Sequence, residues 1–330
     1  MVQLSRPRRG SLQYWPRKRA RKVLPSVNWT ALKNKNQNKL LLGFIGYKVG
    51  MKSSYVKDNT QDSMTKGKRI IVPCTIIECP PIKILSIRFY KNSRVILDII
   101  SSDLDKNIKR KIKLPKNIKE TSGKSYEETV DKKINDIKEF DNVSIIAYVN
   151  VSKSGIKKNP DIFEIGLSGN KEEKLSFIKE HLKKEIRVSE TFKVGQLIDI
   201  RGVTKGKGLQ GPVKRFGIGL KQHKSEKGVR RPGSLGPWHP ARVTFRVPMA
   251  GQVGFFTRVV YNTKLININD INEKNINSMS GFKNYGAIKT DYVIVIGSVQ
   301  GPSKRQLILT HPLRATKKQS KKQYEFLGIR

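Results

Sequence analysis

Acidic residues are scarce in this sequence. The 330 residues include 67 Lys and Arg but only 26 Asp and Glu, which leaves a formal net charge of +41 at pH 7. Self-repulsion of this size opposes compaction of an isolated chain, so a partner must supply negative charge. Nucleic acid, with its closely spaced phosphates, is the first class of partner that this balance indicates. An anionic membrane surface is the second.

Long apolar runs are also missing. No stretch approaches the roughly 18 apolar residues of a membrane span, and no amphipathic helix combines a basic face with large apolar anchors. The chain turns basic directly after residues 1–5, so its start does not resemble a secretory signal. We therefore expect a cytoplasmic protein without membrane contact.

Cysteine and histidine are rare, with two and four residues respectively. Cys74 and Cys79 fall in one predicted strand, where an offset of five places them on opposite faces, so neither a mutual disulfide nor a shared metal is expected. His223 and His239 have only Glu226 as a nearby acid. Catalysis and zinc binding are therefore not expected. The chain is predicted to be no enzyme and to hold no cofactor.

The basic residues are concentrated in two segments. Residues 1–22 hold eight basic residues and no acid, and residues 201–258 hold thirteen basic residues and one acid. Residues 101–190 instead hold sixteen acids beside twenty basic residues. The balanced segment is predicted to be an ordinary solvated domain, and the two basic segments are predicted to contact nucleic acid.

The secondary structure is predicted to be mainly β with an α/β insertion. Short β runs occur at 40–49, 69–79, 82–90, 94–100, 143–149, 161–167, 194–200, 291–296 and 307–309. Apolar spacing predicts one helix through Val130 and Phe140, with a capping box at Ser125, and another from Leu175 to Ile186, with a cap at Asn170. Residues 264–284 are predicted to be an irregular connection, and the tail after Leu313 is predicted to be solvated or bound to RNA.

Short strands with intervening Gly and Pro favour a closed barrel or a sandwich. We predict a barrel whose strands come from both halves of the chain, with long basic N-terminal and central extensions. The predicted parts are a basic N-terminal extension (1–36), the first part of the barrel (37–100), an inserted α/β subdomain (101–190), the second part of the barrel (191–212), a basic central finger (213–262), and the last part of the barrel with the C-terminal tail (263–330).

The N-terminal extension combines cations with an aromatic pair. It has too few apolar residues to form a core of its own. Arg and Lys suit phosphates, while Tyr14 and Trp15 offer faces for stacking on unpaired bases. The alternative is a flexible solvated tail with a sorting role, for which a Tyr-Trp pair has no use.

A glycine loop, residues 201–211, carries Lys205 and Lys207 among four glycines. It lacks the Gly-Lys-Ser/Thr of a nucleotide-binding P-loop, and it has no dinucleotide fingerprint with an acidic partner. Close backbone approach to RNA phosphates is the simpler interpretation, because glycine permits it and lysine favours it. A nucleotide-dependent enzyme remains the alternative, although no carboxylate for Mg²⁺ is evident.

The finger is rich in Pro, Gly and positive charge, which disfavours both a long helix and a buried sheet. Trp238 and His239 stand between prolines, so their backbone is stiff. A rigid aromatic residue on a basic arm suits stacking on RNA. The alternative is that Trp238 covers a small local cluster with Leu235 and Val243.

The predicted RNA-binding residues are basic or aromatic and come from all three segments. They are Arg6, Arg8, Arg9, Tyr14, Trp15, Arg17, Lys18 and Arg19 in the N-terminal extension, Lys205 and Lys207 in the glycine loop, and Lys214, Arg215, Lys221, His223, Lys224, Arg230, Arg231, Trp238, His239, Arg242, Arg246 and Arg258 in the finger.

Five further motifs follow one another along the chain: GFIGYKVGM (43–51), GVTKGKG (202–208), GPWHPA (236–241), AGQVGF (250–255) and GSVQGP (297–302). In this order they resemble the L-three family of large-subunit ribosomal proteins. The N-terminal SRPRRGS (5–11) and the Trp-His tip resemble the archaeal and eukaryotic branch. The short chain favours its archaeal side.

The resemblance implies a translation-factor-like β-barrel with an inserted α/β subdomain. It implies direct binding to large-subunit ribosomal RNA, a role in early subunit assembly, and a finger that reaches toward the peptidyl-transferase centre with Trp238 at its tip. The implied partners are ribosomal RNA, neighbouring ribosomal proteins and, indirectly, aminoacyl-tRNA and elongation factors. A chromatin-like DNA-binding protein shares the charge and remains an alternative, which preference for duplex DNA would favour.

Overall fold

The computed structural model describes residues 10–11, 13–33, 40–113, 133–134, 137, 139–224 and 227–330. The chain divides into two compact units. The smaller unit comprises Met1–Val23 and Val203–Arg258, and the larger unit comprises Leu24–Gly202 and Val259–Arg330. Strands dominate the described residues, so the prediction of a mainly β protein is confirmed.

Thirteen strands are present in the described part of the chain. They are β1 (Gly43–Asp58), β2 (Arg69–Glu78), β3 (Ile82–Lys91), β4 (Arg94–Ile100), β5 (Asn142–Val149), β6 (Asp161–Gly166), β7 (Leu197–Val203), β8 (Leu209–Gln210), β9 (Gly251–Gln252), β10 (Thr257–Asn269), β11 (Tyr292–Ile296), β12 (Gln306–Thr310) and β13 (Tyr324–Ile329).

Seven strands from both halves of the chain form the largest sheet. Their order is β12-β7-β10-β11-β2-β1-β13, and β12 also pairs with β1. This extra pairing connects the two ends of a six-strand series, with Gly43 opposite Thr310 and Tyr47 opposite Gln306. Strand β13 adds to the outer half of β1, so residues 324–329, within the tail that was predicted to be solvated or bound to RNA, form an edge strand.

A second sheet has four antiparallel strands in the order β4-β3-β5-β6. The predicted boundary at residue 100 groups β3 and β4 with the first sheet, but β3 pairs with β5 and β4 pairs with β3. The alternation of apolar and polar residues does not reveal which sheet a strand joins, because that depends on which distant strand forms hydrogen bonds with it. Residues 264–269 also differ from the prediction, since they continue β10.

Five short or medium helices accompany the strands in the described residues. They are α1 (Trp29–Lys33), α2 (Lys171–His181), α3 (Val188–Thr191), α4 (Pro212–Phe216) and α5 (Lys317–Ser320), with a 3-10 helix at Lys106–Arg110. The predicted cap of α2 is confirmed, because the Asn170 amide donates to Glu173 Oε2 at 3.0 Å. This helix ends before Ile186, which instead bridges Ile82. The other predicted cap, at Ser125, lies outside the described residues, and Phe140 is buried.

The larger unit holds two main hydrophobic clusters. The first contains Phe44 and Ile77 and extends to residues of the four-stranded sheet. The second contains Ile76 and is covered by side chains from the segment 271–288. Cys79 belongs to the first cluster and Cys74 to the second, and both are free thiols. Their predicted separation on opposite faces is therefore confirmed.

Lys174 is a buried cation of α2. Its ammonium donates to Asn142 Oδ1 at 2.7 Å, and only 1% of the residue is exposed. Burial, and then the neighbouring Lys33, lower the pKa of Lys174 to about 7. An unfolded lysine has a pKa of about 10.4. Between the folded and the unfolded pKa, the unfolded state binds more protons than the folded state, so the free energy of unfolding rises with pH across that window.

Replacing Lys174 with methionine should remove this pH dependence of the free energy of unfolding. We expect Lys174→Met to stabilise the chain more at pH 7 than at pH 9, because the penalty for burying the ammonium is larger at the lower pH. Urea unfolding at both values measures the difference, and Lys171→Met, an exposed position on the same helix, is the matched control. An equal effect of Lys174→Met at both pH values would contradict a lowered pKa.

Candidate nucleic-acid interface

The smaller unit has much positive charge and almost no core. It contains eight basic residues in its first segment and twelve in its second, against Glu226 as its one acid, which lies outside the described residues. Only Val203 and Phe216 are buried hydrophobic residues among its described positions. Burial of so little apolar surface supplies little of the free energy that orders a chain. This unit is therefore built to be stabilised by an anionic partner.

The N-terminal segment packs on the second segment of the smaller unit. The Ala20 amide donates to the Phe255 carbonyl at 2.9 Å. The Arg258 guanidinium lies 4.1 Å from the Tyr14 ring centroid, and the Trp15 ring lies 5.0 Å from that of Phe245. These cation–π and aromatic contacts hold the segment in place. The alternative of a purely flexible tail therefore does not fit residues 13–20.

Phe216 joins the two segments at the end of α4. The Arg17 guanidinium lies 4.4 Å from the ring centroid, and that of Arg215 lies at 5.2 Å. Phe216 itself is buried. An aromatic ring in contact with two guanidinium groups supplies cation–π stabilisation in a unit with few other buried side chains.

Arg215 donates hydrogen bonds to three backbone carbonyls. The donations reach Met249 at 3.0 Å, Ala250 at 3.4 Å and Gln252 at 3.2 Å. Burial lowers the pKa of Arg215. The guanidinium thus binds the chain where the finger ends, a structural role that the sequence, which predicted phosphate contact here, did not indicate.

The glycine loop pairs with residues 251–256. The Lys207 amide donates to the Val253 carbonyl and the Val253 amide to the Gly208 carbonyl, both at 2.9 Å. A Cβ at Gly254, whose φ is +71°, would lie 2.0 Å from the Lys205 carbonyl oxygen. Glycine is therefore required for the approach of two protein strands.

This pairing also bears on nucleotide binding. A phosphate cradle needs several backbone amides that point at the ligand. The Thr204 amide donates instead to the Phe256 carbonyl at 2.9 Å, and that of Lys207 is also engaged. The side chains of Lys205 and Lys207 remain exposed. The loop therefore presents cations without a nucleotide cradle.

The finger lacks helix and strand between Phe216 and Gly251 in its described residues. Trp238 is 87% exposed, and Leu235 and Val243 beside it are 37% and 53% exposed. The three side chains line one open surface cavity, as the alternative of a local cluster predicts, but Trp238 leaves the other two largely open to solvent. The ring is presented to solvent at the place where the sequence predicted a stacking probe.

Most predicted contact residues are at the surface of the smaller unit. Tyr14 and Trp15 are 52% and 59% exposed even in their contacts. The side chains classed as exposed are Lys18, Arg19, Lys205, Lys207, Lys214, His223, Lys224, Arg230, Arg231, His239, Arg242 and Arg246; Arg17, Arg215, Lys221 and Arg258 are partly buried. Arg6, Arg8 and Arg9 lie outside the described residues.

Two aromatic positions, Phe216 and Phe245, were missed by sequence reasoning. Their signal is an apolar ring inside an otherwise basic segment. Among the described residues, no group of three His, Cys, Asp or Glu could hold a metal ion, and no helix is long and apolar enough to cross a bilayer.

Comparison with known proteins relates this arrangement to one family. The family model described as Ribosomal protein L3 matches residues 1–327. The large ribosomal subunit protein uL3 of Methanobrevibacter smithii is 39% identical over 328 residues, which cover 96% of this chain and 95% of the relative. That of Methanocaldococcus jannaschii is 38% identical, with 95% and 93% covered. That of Archaeoglobus fulgidus is 39% identical, with 94% and 93% covered.

These matches confirm the predicted class of a ribosomal protein that is not an enzyme, and they confirm the resemblance to the archaeal branch. The family model and the relatives extend over nearly the whole chain, so the likeness includes both units. The chain belongs to the ribosomal protein L3 family.

Proposed function

We propose that this protein is a structural constituent of the large ribosomal subunit and that its smaller unit binds the ribosomal RNA of that subunit. The observation that carries the proposal is the combination of twenty basic residues, one acid and two buried hydrophobic side chains in this unit. Charge of this density, held on a scaffold without a core, requires a polyanion that surrounds it.

The aromatic residues favour RNA over duplex DNA. Tyr14, Trp15 and Trp238 offer exposed ring faces, and unpaired bases stack on such faces. Arg258 holds Tyr14, and Phe245 holds Trp15, so two of these rings are positioned before RNA arrives. A protein that binds duplex phosphates alone gains nothing from rings positioned in this way.

The proposal also includes a role for the finger and for Trp238 near its tip. Trp238 lies far along the chain from both bases of the finger, at Phe216 and Gly251, and is almost fully exposed. We assign its tip to an RNA-rich interior, toward the peptidyl-transferase centre. From there it influences aminoacyl-tRNA and elongation factors indirectly, and its ordering on RNA supports early subunit assembly.

The larger unit supplies the framework. Its closed strand order is assigned to the translation-factor-like barrel of the family, and its four-stranded sheet to the inserted subdomain. The mixed charges of this sheet suit contact with solvent and with neighbouring ribosomal proteins in the cytoplasmic ribosome. The relatives are large ribosomal subunit proteins, which supports this assignment.

Sedimentation with crosslinking tests the proposal. In an archaeal lysate, the full chain should migrate with large subunits in a sucrose gradient, with crosslinks from residues 213–258 into large-subunit RNA. Affinity for that RNA should depend steeply on salt. About ten phosphate contacts would give a slope of log K against log salt of roughly −7 to −9.

Free migration, or crosslinks distributed over DNA, would contradict the proposal and favour a chromatin-like protein. A shallow salt slope would contradict the dominant role of charge neutralisation. Mixtures with competing duplex DNA and structured RNA at equal phosphate concentration provide the control for nonspecific attraction.

A further inference from the structure

The larger unit carries two adjoining surface grooves that share part of their lining. Lys52 of β1, together with Ser278 and Phe282, lines both grooves. One groove continues to Lys274 and Arg330, and the other continues to Lys283. We call this pair of grooves the lysine groove. It lies outside the smaller unit and takes no part in the interface described above.

The wall of the lysine groove is held firmly on the sheet. Ile271, Phe282 and Ile288 belong to the second hydrophobic cluster, so the segment between them is fixed at both ends and in its middle. The buried carboxylate of Glu78 accepts hydrogen bonds from the amides of Lys289 at 2.9 Å and Thr290 at 3.1 Å. The backbone that forms the wall of the groove is therefore held in place before binding, which limits the backbone entropy lost on binding.

The chemistry of the lining is cationic and polar. None of the described residues that line the two grooves is acidic. Four side chains carry positive charge, and Ser280, Asn284 and Ser303 add small hydrogen-bonding groups. Lys274 lies with its ammonium 4.6 Å from the Phe326 ring centroid, which fixes one of the charges. Ammonium, hydroxyl and amide groups together are the donors that contact phosphate and sugar oxygens.

The same composition argues against a protein partner. Protein–protein interfaces are depleted in Lys and Ser and are anchored by Trp, Tyr or Arg in desolvated pockets. The lysine groove has three lysines and three serines but only one arginine.

We propose that the lysine groove is a second RNA-binding site, which holds a sugar–phosphate strand of the same large-subunit RNA independently of the finger. The inference rests on the proposed function. It adds a contact from the framework unit, so the RNA is held by both units of the chain.

Two double variants of the full chain, each lacking two lysines, test the inference. The double variant Lys52→Ala/Lys283→Ala removes two exposed cations of the groove without touching its apolar wall. The control Lys106→Ala/Lys158→Ala removes two exposed lysines near the four-stranded sheet, where acids and bases are balanced. In-vitro transcribed archaeal large-subunit RNA is the probe, with affinity measured between ~50 and ~200 mM salt.

The groove variant should bind the transcript roughly tenfold or more weakly at ~0.1 M salt, with a salt slope shallower by about two, since each lost phosphate contact lowers the slope by about one. In RNA footprinting, the groove variant should also leave unprotected a short RNA segment that the control variant protects. Equal slopes and footprints for both variants would overturn the groove assignment alone. Failure of the unsubstituted chain to bind the transcript would instead contradict the proposed function. Loss of a ribosomal protein neighbour with unchanged RNA binding would overturn the assignment in favour of protein docking.

Discussion

Replacing Phe216 with alanine is expected to release the N-terminal segment from the second segment of the smaller unit. The ring is one of two buried hydrophobic side chains in the described part of this unit, and both Arg17 and Arg215 lie against it. Truncation of a buried Phe typically costs about 3–5 kcal/mol. Here it also removes two cation–π contacts. Trypsin cleavage at Lys18 and Arg19 should accelerate by at least about tenfold, because cleavage requires local opening.

Phe216→Leu is the matched control. Leucine keeps an apolar side chain at this position but has no ring face, so cleavage should accelerate less than in Phe216→Ala. The unfolding midpoint of the larger unit should stay unchanged in both variants. Equal cleavage rates for the unsubstituted chain and Phe216→Ala would mean that the Ala20 hydrogen bond and the Tyr14 and Trp15 contacts suffice to hold the segment.

Replacing Trp238 with alanine should leave the fold intact and impair the ribosome. The side chain is 87% exposed, so its removal costs the isolated chain almost no packing. Loss of one base-stacking contact is worth about 1–3 kcal/mol. An archaeal strain whose own copy is replaced should grow more slowly, with fewer polysomes or with accumulated immature large subunits.

Two variants sharpen the Trp238 experiment. Trp238→Phe retains an aromatic face and should restore much of the growth. Leu209→Ala removes another highly exposed apolar side chain from the same unit, outside the tip, and should behave as the unsubstituted protein does. Unchanged growth and unchanged polysomes in Trp238→Ala would contradict a role for the tip.

Charge was the most informative property of the sequence. The segments that hold many basic residues and almost no acid, 1–22 and 201–258, nearly coincide with the smaller unit of the structure. The reason is physical: repulsion among basic residues that are not neutralised within the chain opposes their packing into one domain with the balanced segments. The exposure of Trp238 between prolines followed from the same reasoning.

Local sequence was a poor guide to the role of individual residues within that unit. The glycine loop was interpreted as an approach to phosphates, and the structure adds that its backbone pairs with residues 251–256, where a Cβ on Gly254 would meet the Lys205 carbonyl oxygen. Arg215 was interpreted as a phosphate contact, but its guanidinium serves carbonyls more than thirty residues away in the chain. A guanidinium group donates hydrogen bonds to any acceptor that the fold places within reach. The sequence does not identify that acceptor.

Strand pairing produced the differences in the larger unit. Strands β3 and β4 were placed with the first sheet by their position in the chain, yet β3 pairs with β5 and β4 pairs with β3. Residues 324–329 and 264–269 were not predicted to be strands, and they are strands because β1 and β11 offer neighbouring edges. The lysine groove also depends on long-range strand pairing and packing, since β1, β13 and the segment 271–288 are remote from one another in sequence.

The sequence by itself determined the mainly β composition, the separation of cationic from balanced segments, the opposite faces of Cys74 and Cys79, and the family resemblance. These properties depend on residue type, local period and charge, which each residue carries regardless of its neighbours in space. Only the tertiary structure decided that Phe216 joins the two segments of the smaller unit, that Arg215 binds backbone, and that Lys52 and Lys283 line one groove. Those contacts join residues far apart in the chain, and the free energy that selects them comes from packing and pairing, which exist only once the chain has folded.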